Sequence, residues 1–263
     1  MMRISIACLV LMLGLCAGAQ AAEEIVTLKT RGEVTQSYLL HYNKGENHHF
    51  VAVLFAGSSG NIGLKSDADG PETASDNFLV RTREIFARNE VATAAVDGPS
   101  DMSNMTDGFR MSDKHAEDIR MVVRNLRARF PAAKLFLVGT SRGTVSAAYA
   151  GMALGSDIDG VVLTSSVFNA SRAGGGVAGF DFSRLKIPLL FVHHREDACN
   201  NCPYSSASRL SDRYPLISVS GGLPPQSGPC DPLSTHGYFG KEAETVAAIS
   251  QWITGKPHPA EVK

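Results

Sequence analysis

Runs of like charge are missing from this 263-residue chain: 25 lysines and arginines face 26 aspartates and glutamates, with no basic stretch and no interleaving of cations with aromatics. A phosphate backbone finds nothing to bind, so nucleic acid is not an expected partner. After the first residues no apolar segment approaches the roughly 20 residues that cross a bilayer, which leaves no expected membrane contact for the processed protein. Internal repeats are absent as well, and with them the solenoid and propeller architectures. Cysteine is sparse, five in all, and a chain of this length buries a full core without depending on disulfides.

What is present begins with a leader. Arg3 precedes the apolar stretch Ile4 to Leu15, and Ala19-Gln20-Ala21 has the small-x-small form of a signal-peptidase site. Residues 1–22 are therefore expected to be a signal peptide, with the protein exported to a periplasm or the medium and starting at Ala22 or Glu23. Cys16 follows Leu15, where lipid modification needs a small residue, so no lipid anchor is expected. Removing the leader takes Arg3 with it and leaves 24 cations against 26 anions, a net charge of -2. Three cysteines remain, Cys199, Cys202 and Cys230. In an oxidising compartment two should pair. Cys199 with Cys230 is preferred, the other pairings and a reduced state staying open; such a bridge closes a loop of roughly 30 residues, worth roughly 3–4 kcal/mol in the chain-entropy model.

The pattern of apolar residues sets the fold class. Glu24 to Leu28 and Val34 to His41 alternate apolar with polar about Thr30-Arg31-Gly32, as a half-exposed hairpin does. Phe50–Phe55, Val91–Val96, Leu135–Val138, Val161–Leu163 and Leu189–Val192 are near-continuous apolar runs, the mark of strands buried on both faces. Between them lie helical stretches at Phe78–Arg88, Ser112–Phe130, Thr144–Leu154, Tyr204–Leu210 and Lys241–Ile253. The second shows its period in Ile119, Val122, Val123 and Leu126, with Arg120, Arg124 and Arg127 on the opposite face. The expectation is an α/β fold: a doubly wound, mostly parallel sheet of about eight strands with an antiparallel hairpin at its N-terminal edge. Only Phe168 to Ile187 separate the last two runs, so no second domain fits there, and Ala173 to Gly179 reads as a rim loop or a plain glycine-rich connection. Residues 23–255 form one domain, and 256–263 are expected to fray.

Gly139-Thr140-Ser141-Arg142-Gly143 sits between the Leu135 strand and a helix. Alone it is a weak signal in a chain with 25 glycines, but a serine on a sharp strand-to-helix turn needs glycines on both sides for close packing. Two further motifs follow, Val192-His193-His194-Arg195-Glu196-Asp197 at a strand end and Thr235-His236-Gly237-Tyr238 before the last helix. With these three in this order the chain resembles a small, capless α/β-hydrolase over essentially all of its mature length. That resemblance implies a serine hydrolase acting on an ester or related acyl bond, with Ser141 as nucleophile, His236 as base and Asp197 as the orienting acid. Glu196 and Asp231 are alternatives for the acid. His41, His48, His49, His115 and His258 read as surface histidines, and of His193 and His194 only one can face the site.

An acyl-transfer site also needs donors for an oxyanion. The resemblance implies the backbone N–H of Arg142 and that of Ser58, in Ala56-Gly57-Ser58-Ser59-Gly60-Asn61, with Ser59 second; the family's histidine is missing from this turn. Asp97 to Asp101 is expected to shape the rim; selection of an acidic substrate is open to Arg110 and Arg142, with pairing to a nearby carboxylate or lying along the helix surface as the alternatives for Arg142. A Cys199–Cys230 bridge would tie the Asp197 loop to the His236 loop. No cofactor and no metal are expected. The competing readings are an acyltransferase or peptidase with the same triad, a non-catalytic binding protein of the same fold, and a metal site built from His193, His194, Cys199 and Cys202. The expected substrate is a small-molecule or polymer-linked acyl group.

Overall fold

The computed structural model describes residues 20–172 and 174–263. The leader therefore lies outside the described residues except for Gln20–Ala22, which open the first strand. Along the chain the elements are β1 (Gln20–Arg31), β2 (Val34–Lys44), β3 (Phe50–Phe55), β4 (Lys65–Asp67), β5 (Gly70–Glu72), α1 (Phe78–Arg81), α2 (Arg83–Arg88) and β6 (Ala92–Val96). They continue as α3 (Asp107–Arg110), α4 (Asp113–Arg129), β7 (Lys134–Thr140), α5 (Gly143–Leu154), β8 (Gly160–Thr164), β9 (Leu189–His194), α6 (Tyr204–Ser208), β10 (Leu216–Val219), α7 (Glu242–Thr254) and β11 (Glu261–Val262).

Nine strands make one sheet in the order β1-β2-β6-β3-β7-β8-β9-β10-β11, and β4 with β5 forms a separate small ribbon. The β1–β2 and β2–β6 pairs are antiparallel and the remaining pairs of the large sheet are parallel. This is the expected architecture with one strand more than the expected eight. The five apolar runs all lie inside the sheet, because a strand covered on both faces has no reason to alternate.

Helices cover both faces. On one, α4 buries Ile119, Val122, Val123 and Leu126 in one large apolar cluster shared with α5 and the sheet; each such side chain contributes about 1.5–3 kcal/mol on burial. The Ser112 hydroxyl caps α4 by accepting from His115 N–H at 3.3 Å. On the other face, α1, α2 and α7 bury Phe78, Leu79, Phe86, Val246 and Ile249 against the sheet.

Three expectations change. The helix expected over Phe78–Arg88 is broken at Thr82, whose hydroxyl donates to the Phe78 carbonyl at 2.6 Å. Residues 256–263 do not fray: Ser218 N–H in β10 and Ser220 N–H just beyond it donate to the Ala260 and Val262 carbonyls at 2.9 Å each, and Val262 is buried. Lastly, His41 and His115 are buried rather than on the surface.

Candidate active site

Ser141 lies at the end of β7, where the chain turns sharply into α5. Its φ is 68°, a conformation that costs a non-glycine residue roughly 1–3 kcal/mol and persists only where the surroundings enforce it. Here they do. Ser141 N–H donates to the Thr164 carbonyl at 3.1 Å, and the Ser141 carbonyl accepts from both the amide and the hydroxyl of Thr144, at 3.0 and 2.5 Å. The flanking glycines are required by contact: a Cβ on Gly139 would collide with the Gly143 carbonyl, and one on Gly143 with the Phe55 carbonyl. Helix and strand approach too closely for any side chain between them.

Asp197 follows β9, and His236 sits in a short turn before α7. The three residues meet. The Asp197 carboxylate can only accept, so His236 Nδ1 carries the hydrogen and donates to Asp197 Oδ2 at 2.9 Å. His236 Nε2 is then the bare nitrogen and accepts from the Ser141 hydroxyl at 3.0 Å. The Asp197 side chain is fully buried, and its Oδ1 accepts from Cys199 N–H at 2.9 Å.

Several contacts that no motif announces hold the histidine. Ser234 Oγ accepts from His236 N–H, Ser165 Oγ donates to the His236 carbonyl at 2.8 Å, and Tyr238 OH donates to the Val192 carbonyl at 2.7 Å. Thr235 Oγ1 donates to the Glu196 carbonyl at 2.9 Å, joining the acid and histidine loops. A disulfide between Cys199 and Cys230 joins the same two loops covalently. Cys202, buried with Cys199 and Val167, lies beside Ser141. Burial, with the Asp197 charge, pushes its thiol well above its ordinary range, so it remains a neutral thiol.

On the other side of Ser141 is the loop after β3. Gly57 abuts the serine so closely that a Cβ there would lie 2.9 Å from Ser141 Cβ. Ser58, at φ 48°, follows. Its carbonyl accepts from Arg142 Nη1 at 3.0 Å and Arg110 Nη2 at 3.3 Å. Arg142 also pairs with Asp107 at 3.0 Å and donates to the Met105 carbonyl at 2.9 Å, while Arg110 is fully buried and donates to Ser146 Oγ at 2.9 Å. Burial, with Arg142 nearby, draws Arg110 down to about 9. Arg142 therefore pairs with a protein carboxylate, whereas Arg110 donates only to Ser146 Oγ and main-chain carbonyls. The backbone N–H groups of Ser58 and Arg142 donate to no acceptor among the described residues.

Asp97 accepts from the amides of Ile62, Gly98 and Leu64 and so holds the same loop from behind. Asp107 has a second link, accepting from Gly176 N–H at 3.0 Å, which pins the glycine-rich segment to the site. The four-residue metal grouping does not assemble. His193 Nε2 accepts from Ser166 N–H at 2.8 Å on one face of β9; His194 bonds the Gly221 carbonyl on the other. Cys199 and Cys202 do bring donor atoms within 4.8 Å of one another and of His236, but Cys199 is in the disulfide and His236 lies between Asp197 and Ser141.

Sheet order, the strand-to-helix serine turn and the acid and histidine on later loops are those of the α/β-hydrolase fold. No protein-family model matches the sequence, and no curated protein matches it. Solved structures do. Est1E from Butyrivibrio proteoclasticus superposes with a TM-score of 0.60 at 14% identity, covering 88% of this chain and 98% of that one. XC6422 from Xanthomonas campestris, an α/β serine hydrolase without a lid, gives 0.57 at 15%, covering 89% and 97%. A zinc-bound cold-adapted esterase from an Arctic intertidal metagenomic library gives 0.58 at 14%, covering 89% and 94%.

Proposed function

We propose that this protein is a serine hydrolase that cleaves carboxylic esters through an acyl-enzyme. The observation that carries the reading is the unbroken relay Ser141–His236–Asp197, at 3.0 and 2.9 Å, opening on a cleft of about 340 Å³ lined by Ser141, His236 and Ser58. Ser141 Oγ attacks the ester carbonyl carbon as its proton passes to His236 Nε2. The imidazolium, held by the buried Asp197 carboxylate, gives that proton to the departing alcohol oxygen as the acyl–oxygen bond breaks. Water then attacks the acyl-serine, losing a proton to His236, and the acid leaves as Ser141 recovers its hydrogen. The Ser58 and Arg142 amides carry the oxyanion in both halves, the second at the positive end of α5. No cofactor is needed, because nucleophile, base and donors are all supplied by the chain.

The structural neighbours include esterases, which favours ester over amide as the bond cleaved. No described helix is long and apolar enough to cross a membrane, and the Cys199–Cys230 disulfide is compatible with export. Export with cleavage after Ala21 or Ala22 is part of the same reading, and mass spectrometry of the secreted chain reads its first residue.

A fluorophosphonate probe tests the chemistry: wild type is expected to label on Ser141 and Ser141→Ala not at all, with hydrolysis of p-nitrophenyl esters falling at least about 10³-fold. Equal labelling of the two proteins sinks the proposal.

A further inference from the structure

Beside the catalytic cleft lies a second concavity of about 540 Å³ that shares Gly57, Ser58, Asn77 and Pro232 with it. Its size falls within the roughly 300–1,000 Å³ of ordinary small-ligand sites. The two differ in chemistry. Phe78, Val167 and the Cys199–Cys230 bridge line the first. Besides the shared Ser58, the side chains that give the second its polarity are Ser59, Asn61, Ser75, Asp76, Asn77 and Ser103, and no cation or aromatic ring lines it.

Those polar groups are set in direction by the loop backbone. Asn61 Oδ1 accepts from Gly63 N–H at 2.7 Å, and Asn77 Oδ1 from Leu79 N–H at 3.1 Å. Ser59 Oγ accepts from Asn61 N–H at 3.3 Å, and Ser75 Oγ from Asn77 N–H at 3.2 Å. In each of the four the chain engages one lone pair of the acceptor atom, which leaves the amide and hydroxyl hydrogens and one further lone pair for a ligand. Asp76 adds an acceptor. The set is several oriented donors and one carboxylate, with no countercharge for an anion and a smaller apolar share of wall than the neighbouring cleft.

We propose that this groove binds the leaving alcohol of the substrate and that the alcohol is a neutral polyol of the sugar class. Vicinal hydroxyls, each both donor and acceptor, are the groups that match such a lining, and the Asp76 charge disfavours phosphorylated or acidic alcohols. The placement agrees with the chemistry. His236 returns its proton to the leaving oxygen, and Pro232, shared between cleft and groove, stands on the loop that carries His236. The inference rests on Ser141 being the nucleophile of an ester hydrolase.

The test compares the butyrate monoester of glucose with ethyl butyrate, the same acyl group on two alcohols. Wild type is expected to favour the glucose ester by at least about tenfold in kcat/KM, since a site built to hydrogen-bond rejects a ligand lacking the groups. Asn61→Asp and Asn77→Asp keep the Oδ1 that accepts from the backbone but remove the amide hydrogens. Each should cut that preference about threefold or more, through KM rather than kcat. Equal kcat/KM on the two esters, or a preference that survives both substitutions, overturns the groove while leaving the hydrolase intact. An enzyme that neither labels at Ser141 nor cleaves either ester fails the hydrolase reading instead. The groove is then judged by calorimetric titration of methyl glucoside into wild type and Asn61→Asp: binding weakened by the substitution supports it, and no binding overturns it.

Discussion

The two halves of the site are held in different ways. Ser141 is fixed chiefly by main-chain packing: glycines at 139 and 143 let β7, α5 and the end of β3 approach to contact, and the serine's strained φ follows from that packing. Asp197 and His236 stand on loops that share no ladder. A disulfide, the Thr235–Glu196 and Ser165–His236 hydrogen bonds and the buried Tyr238 hold them together. Steric necessity leaves a glycine signature in sequence, whereas tethering by scattered side chains leaves almost none.

The difference is sharpest under substitution. Gly143→Ala should be the most damaging change, because its Cβ meets the Phe55 and Ala56 carbonyls, which are main chain and cannot rotate away. A loss above about 4 kcal/mol, or failure to fold, is expected by denaturant titration. A variant that melts like wild type would show that the turn is looser than the packing requires.

Removing the tether should cost somewhat less. Cys199→Ser with Cys230→Ser is expected to lower stability by roughly 3–4 kcal/mol, the chain-entropy value for a 31-residue separation, and to lower kcat on p-nitrophenyl esters more than it changes KM. The paired measurement separates tethering from bulk stability: a protein that loses stability but keeps kcat would show that the loops hold their register without the bridge.

Each half also buries one neutral histidine. Burial, then the charges of Arg110 and Arg31, takes His115 to about 3; burial, then His236, takes His193 to about 3 as well. An unfolded histidine titrates near its ordinary 6.5, so between those values the unfolded chain binds the extra proton. Stability therefore falls as pH drops from 6.5 toward 3, by up to about 1.4 kcal/mol per pH unit for each histidine. His115→Phe, which keeps a ring beside Phe55 and Phe109, should remove up to that amount of slope; an unchanged acid limb of the stability curve would count against it.

The smallest effect belongs to the Ser58 side of the cleft. Asp107→Asn weakens the pair that aims Arg142 at the Ser58 carbonyl. A fall of about five- to tenfold in kcat with KM held is expected if that carbonyl sets the direction of the loop's amides. Arg142→Lys, which keeps charge without the fork, should not rescue it.

Much of this was readable before folding. The runs Phe50–Phe55 and Leu135–Val138 became β3 and the heart of β7, because full burial leaves no polar face to interrupt them. By contrast β10 is not legible in the sequence. Its four residues, Leu216–Val219, include Ser218, and so short a run carries no period. The β11 strand leaves no signal of its own, since Lys-Pro-His-Pro gives no hint of the partners waiting at Ser218 and Ser220. Asp107 had no signal at all: an aspartate in a polar stretch is ordinary until Arg142 and Gly176 arrive beside it from 35 and 69 residues away.

By itself, then, the sequence determined whatever is enforced locally: buried strands from unbroken apolar runs, α4 from its period, and the serine turn from glycines that leave no room for a side chain. Only the tertiary structure decided what depends on distant partners, namely that Cys199 reaches Cys230, that Arg110 and Arg142 turn inward to the Ser58 carbonyl, and that a polar groove adjoins the cleft at Ser141. Local constraints act between neighbours in the chain and are written in their order. Hydrogen bonds and bridges between loops join residues that only the folded sheet brings within reach.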